Sequence, residues 1–182
     1  AKLLEFNNID YLGVAYTDEA VELRKAGISL PIMVLNPDLN HLDAYLEQNI
    51  QPVIYSFESL EKVQNHPIKI HLEFDTGMHR LGFEMKDLDK LIAALQTDKS
   101  LEIVSVFSHL AVADDESKDD FTKKQLADFE VISKRIQSDL NISVIKHIAN
   151  TVGIERFDES RLDLVRLGIG LYGISSKGKQ SE

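Results

Sequence analysis

The chain has 182 residues, of which 43% are apolar and 27% charged, enough for one well-buried core and ordinary for a water-soluble globular protein. Its formal net charge of -10 and pI near 5.0 repel a phosphate backbone, which makes nucleic acid and anionic membrane poor partners. No apolar run approaches the roughly 20 residues of a membrane span, the first residues carry no signal pattern, and zero Cys excludes disulfides and thiolate metal sites, in keeping with the cytoplasm.

In chain order, residues 2–6 form an amphipathic segment with no strand before it. Apolar, β-branched runs follow at 9–15, 31–35, 52–55, 68–74, 103–107, 144–149 and 164–168, and each predicts a buried strand. Between them lie stretches of helical period. Thr17 is predicted to cap a helix with Asp18 and Glu19 in its first turn, Lys25 near its end and Gly27 just past it. Ser56 is predicted to cap a later helix, and residues 87–95 and 120–140 place Leu, Ile, Val and Phe three and four apart.

Alternation of strand and helix calls for a parallel sheet with helical crossovers, an α/β fold. A (β/α)8 TIM barrel missing one unit fits better than a doubly wound sheet, because no GxGxxG or GxxxxGK follows the first strand. The reading is therefore an incomplete barrel domain over residues 1–174, its first strand lost. The polar, small tail 175–182 reads as a linker toward a further, absent domain.

Polar residues recur where a barrel should be apolar. Period-two alternation sets Ile70, Leu72 and Phe74 on one face of their strand and Lys69, His71, Glu73 and Asp75 on the other, toward the barrel interior. Burying such groups costs several kcal/mol each unless they are paired, so either a salt-bridge network fills the barrel base or these residues serve a site. His109, Asn150, Thr151 and Arg166 fall near the C-terminal ends of successive strands, the catalytic rim of such a barrel. A lone His there is more often a satisfied core residue; the cluster argues otherwise. Gly168-Ile169-Gly170 follows the last strand, where barrel enzymes commonly hold a phosphate on backbone N–H groups.

Taken together, these residues resemble the alanine racemase family. The likeness runs from about Asn8 to Gly173 and rests on residues 10–15 with 18–20 and Leu23-Arg24, on the run Asp75-Thr76-Gly77-Met78-His79-Arg80-Leu81-Gly82, and on residues 108–114, 147–151 and 165–173, in the family's order and spacing. The resemblance implies a barrel that holds pyridoxal 5'-phosphate, and an isomerase that interconverts L- and D-alanine, supplying D-alanine for the peptidoglycan of the cell wall. It implies a cytoplasmic homodimer with a small-molecule substrate.

By the same match Arg166 faces the pyridine nitrogen of the cofactor. A guanidinium cannot hand over its proton, which favours racemisation over transamination. His109 is expected behind Arg166 as its hydrogen-bond partner, with His147 extending the relay. Arg80 is expected near the phenolic oxygen of the cofactor and the substrate carboxylate. Thr151, with the amides of Gly168 and Ile169 and with Asn150 beside them, is expected to bind the phosphate.

Two departures from the family stand out. Glu73 occupies the position where many members carry a carbamylated lysine, so its carboxylate is expected to brace Arg80 directly, unless it merely reaches Lys69 or another base. The Schiff-base lysine, on a strand that would precede Ala1, and the second proton carrier, a tyrosine of a C-terminal β domain, are both expected to lie outside the chain. The 182 residues alone are therefore expected to be inactive, and a barrel lacking a strand is expected to pair through its edges. The alternatives are another pyridoxal-phosphate barrel racemase, a non-catalytic cofactor-binding barrel protein, and a scaffold that binds nothing.

Overall fold

The structure is a computed structural model and describes residues 1–175; apart from Ser175, the expected linker 175–182 lies outside the described residues. The described residues divide into two compact units, residues 1–72 with 94–104, and residues 73–93 with 105–175.

In the first unit, α1 (Lys2–Phe6) precedes β1 (Leu12–Val14), α2 (Thr17–Lys25), β2 (Ile32–Val34), α3 (Leu42–Gln48), β3 (Ile50–Ile54) and α4 (Phe57–Val63). It also holds most of β4 (Lys69–Glu73), the end of α5 (Leu88–Thr97) and the start of β5 (Glu102–Phe107). All strand pairings are parallel: Leu12 lies opposite Ile32, Ile32 opposite Ile50 and Val53 opposite His71. The Glu102 amide then joins the start of β5 to Ile68 at 3.0 Å.

The strand faces explain this order. Ile32, Val34, Val53, Ile54, Ile70 and Leu72 are fully buried, as expected of strands covered by helical crossovers. Arg24 locks the helix layer by donating to the carbonyls of Gln48, Asn49, Ile28 and Leu30 at 2.7–2.8 Å. The expected polar face resolves here into a neutral network: His71 Nε2 and the Tyr11 hydroxyl both meet Gln51 Oε1, at 2.8 and 3.0 Å. Lys69 is exposed and pairs with Glu102 at 3.4 Å, so it is not the partner of Glu73.

Helix starts follow local side chains. Ser56 caps α4, its Oγ accepting from Ser59 N at 3.1 Å, as the sequence predicts. Thr17 does not cap α2. Tyr16 stands at the cap, the Glu19 carboxylate reaching back to the Tyr16 and Ala15 amides at 2.9 and 2.7 Å. Thr17 Oγ1 instead meets the Tyr45 hydroxyl at 2.6 Å and accepts from Asp38 N.

The second unit begins at the end of β4 and includes the start of α5, the end of β5, α6 (Asp119–Leu140), β6 (Ile145–His147) and α7 (Thr151–Arg156). Phe74 N donates to Phe107 O at 2.8 Å, and β5 pairs parallel with β6, Ser105 opposite Ile145 and Phe107 opposite His147. In α6, Thr122, Gln125, Phe129, Ile132 and Ile136 are buried at spacings of three and four, the helical period seen in sequence.

The seventh predicted strand, at 164–168, does not form. Leu164 N reaches Lys146 O at 3.4 Å and Arg166 N reaches Ala149 O at 3.0 Å, so two residues of this segment step past three of its neighbour and a regular ladder cannot continue. No helix among the described residues is long and apolar enough to cross a membrane, and no group of three or more His, Asp or Glu among them could hold a metal ion.

Candidate active site

The expected site residues lie in the second unit. Arg166 is the centre of the cluster. Its Nη1 donates to His147 Nδ1 at 2.5 Å; its Nη2 donates to Ser108 O at 2.6 Å and Ile148 O at 3.2 Å, and lies 3.4 Å from His109 Nδ1. An arginine can only donate, so His147 Nδ1 must be unprotonated and its Nε2–H points to Ser105 Oγ at 3.0 Å. The His147 ring stacks on Phe107, centroids 4.7 Å apart, and the Arg166 guanidinium stands 5.0 Å above the same Phe107 ring. Both histidines thus reach the guanidinium, and His147 rather than His109 makes the shorter contact.

Electrostatics sharpen the arrangement. Desolvation lowers Arg166 to about 10 against the opposing pull of Glu73, which leaves it a cation at neutral pH. Burial, then Arg166 and Arg80, lower His109 to about 4, so it is neutral there. Glu73, 6% exposed, is raised by burial to about 7 although Arg166 and, less strongly, Arg80 favour its charged form. The expected brace between Glu73 and Arg80 is not a direct one: among the described residues no ion pair within 4.0 Å joins them, because Arg80 is exposed on its loop whereas Glu73 ends a buried strand.

That loop, residues 75–82, is built by Asp75 and two glycines. Asp75 Oδ1 accepts from Gly77 N at 2.8 Å and His79 N at 3.1 Å, and Asp75 N and Phe83 N bond to Phe83 O and Glu73 O, each at 2.9 Å. Gly82 has φ +119, and a Cβ there would stand 2.5 Å from Asp75 N, so no side chain fits.

Thr151, 4% exposed, opens α7. Its Oγ1 accepts from Gly168 N and from Gly170 N, each at 3.1 Å. Both lone pairs of the hydroxyl are then used and its hydrogen is left to donate. A Cβ at Gly170 would lie 2.7 Å from Thr151 Cγ2, so glycine is what lets this amide approach. The Gly168 amide is turned to Thr151, and Ile169 begins the helical turn Ile169–Tyr172. Asn150 serves as the cap of α7, its Oδ1 accepting from Gly153 N at 2.9 Å and its Nδ2 donating to Leu110 O at 3.4 Å. Ser105, Ser108, Thr76 and Gln125 hold these groups; Thr76 and Ser108 lie inside the family-like runs without a role assigned from sequence, and Ser105 and Gln125 belong to no motif.

The family profile described as alanine racemase, N-terminal domain, matches residues 1–176. Alanine racemase 1 of Oceanobacillus iheyensis is 34% identical over 174 residues, covering 91% of this chain and 46% of that protein. The alanine racemase of Fusobacterium nucleatum is 37% identical, covering 98% of this chain and 51% of that protein. Among solved structures, the alanine racemase of Clostridium difficile 630 in complex with cycloserine matches with a TM-score of 0.86 and 32% identity, over 94% of this chain and 49% of that one. The alanine racemase from Bartonella henselae with covalently bound pyridoxal phosphate matches with a TM-score of 0.83 and 31% identity, over 99% of this chain and 53% of that one. The chain spans about half the length of the curated relatives it matches.

Proposed function

We propose, because the chain belongs to the alanine racemase family through its N-terminal barrel domain, that it supplies the cofactor cradle of a pyridoxal-phosphate-dependent racemase interconverting L- and D-alanine. The D-alanine would serve peptidoglycan, in a cytoplasmic homodimer. The cofactor, when bound, provides the electron sink that makes the α-proton of an amino acid acidic.

The residues present fit such a group, and the observation that carries the reading is the state of their hydrogen bonds. Thr151 has its lone pairs filled by Gly168 N and Gly170 N and a hydroxyl hydrogen to give, which suits a phosphate oxygen. The Ile169 amide, first in its turn, would be the second donor. Arg166 directs Nη1 and Nη2 to His147, Ser108, Ile148 and His109, and its Nε–H has no acceptor among the described residues. That donor can meet an uncharged ring nitrogen without protonating it. His147, oriented by Ser105, holds the guanidinium in place.

Arg80, exposed and without a partner among the described residues, is free to pair with the carboxylate of an amino acid, bidentate. The strand lysines are not placed for proton transfer: Lys69 starts β4 and stands 3.4 Å from Glu102, and Lys146, in the middle of β6, stands 3.8 Å from Asp163.

Titrating pyridoxal phosphate into the protein tests the reading. Binding should saturate, and Thr151→Val, which keeps shape and removes the hydroxyl, should weaken it roughly 10- to 100-fold, the worth of one charge-assisted hydrogen bond. No borohydride-trapped adduct should form on a lysine of residues 1–175. An intact protein assayed against D- and L-amino acids should turn over alanine; failure to bind the cofactor, or indifference to Thr151→Val, would sink the proposal.

A further inference from the structure

We propose that Gln125 is a positioning residue: from the buried face of α6 it fastens the loop that carries Arg80 to the segment just past β5 that carries His109, and so sets where the Arg80 guanidinium stands. Gln125 is 1% exposed. Its Oε1 accepts from Ala111 N at 2.9 Å, and its Nε2 donates to His109 O at 3.0 Å and to Thr76 Oγ1 at 3.4 Å. Thr76 Oγ1 pairs in turn with Ser108 Oγ at 2.8 Å, and Ser108 O receives Arg166 Nη2 at 2.6 Å. One amide therefore commits its acceptor and both donors to the loop and the strand end together. An apolar side chain of equal length would satisfy helix packing alone.

Close packing marks the same junction. Gly77, at φ +139, lies where a Cβ would stand 2.7 Å from Phe121 Cζ and 3.5 Å from Gln125 Cγ, so the loop rests against α6. The Arg80 side chain has no hydrogen bond or ion pair within 4.0 Å among the described residues, and its place follows from the loop backbone. Displacing a carboxylate-binding guanidinium by about 1 Å is enough to cost rate; this consequence rests on the function proposed above, while the fastening itself does not.

The experiment uses Gln125→Met, which keeps length and volume, and Thr76→Val, which removes the loop hydroxyl with its bonds to both Gln125 and Ser108 and decides the matter if the first variant does not fold. Ligand-free protein is treated with trypsin, and cleavage after Arg80 is measured against cleavage after Lys25 in the first unit. Loss of these bonds should raise the Arg80 rate relative to Lys25 by about tenfold, through local opening of the loop. In the intact protein, KM for alanine should rise while affinity for pyridoxal phosphate, held at Thr151, stays unchanged. An unchanged Arg80-to-Lys25 ratio in Gln125→Met, or in Thr76→Val where Gln125→Met does not fold, or an equal rise at both sites, overturns the proposal. If the ratio rises and the intact protein binds no cofactor, the fastening stands and the racemase reading falls; if the cofactor binds and the ratio is constant, the fastening falls alone.

Discussion

At Glu73, burial and charge act in opposite directions. The neighbouring Arg166 and Arg80 favour the carboxylate, yet desolvation outweighs them and leaves the group near 7, above its ordinary 4.5. A pKa raised on folding gives stability that is present below the unfolded value and is lost as pH rises through the folded one, here between about 4.5 and about 7. Glu73→Gln removes that loss. Its thermal midpoint, compared with the parent chain, should climb between pH 5 and pH 8 by the equivalent of on the order of 3 kcal/mol; a difference that stays flat with pH would show that Glu73 does not titrate there. The sequence signalled Glu73 by its place two residues before Asp75, but gave no hint that Arg166 would be its stronger electrostatic neighbour. Gln125 was silent for a different reason: a glutamine acquires meaning only from what stands across from it.

Among the elements, α6 and the strands β2 to β5 were legible because buried faces impose a period, whether 3.6 or 2, that side chains must obey. The failed seventh strand shows the limit of that signal. An apolar run records that a segment is buried, whereas the two-against-three step beside β6 is a matter of register between chains of residues far apart. The loop 75–82 sits between these cases: its glycines were visible, and their necessity is geometric. Gly82→Ala forces a Cβ to within 2.5 Å of the Asp75 amide at φ +119. It should therefore cost on the order of 2–3 kcal/mol in urea unfolding, and an alanine variant as stable as the parent chain would contradict the turn described.

For the molecule as a whole, two buried histidines oppose Glu73 in the response to acid. His71 is lowered by burial to about 3 and His109 to about 4, both from 6.5, so the unfolded chain binds protons before the folded one does. Their contribution is complete above pH 6.5 and is lost as pH falls toward those folded values. Chemical denaturation should show stability declining already between pH 6.5 and 5, before most carboxylates titrate, and His71→Gln should shift the acid midpoint downward; a midpoint that does not move would exclude His71 as a cause.

Composition, periodicity and the order of five short motifs determined the α/β class, the family and the list of polar strand-end residues, because these depend on which side chains must leave water and in what sequence they occur. Tertiary structure alone decided which donors remain unspent at Thr151 and Arg166, that His147 holds the guanidinium more closely than His109, and that Glu73 does not touch Arg80. Hydrogen-bond geometry and desolvation arise only when residues distant in the chain are brought within a few ångströms, and no linear pattern carries those distances.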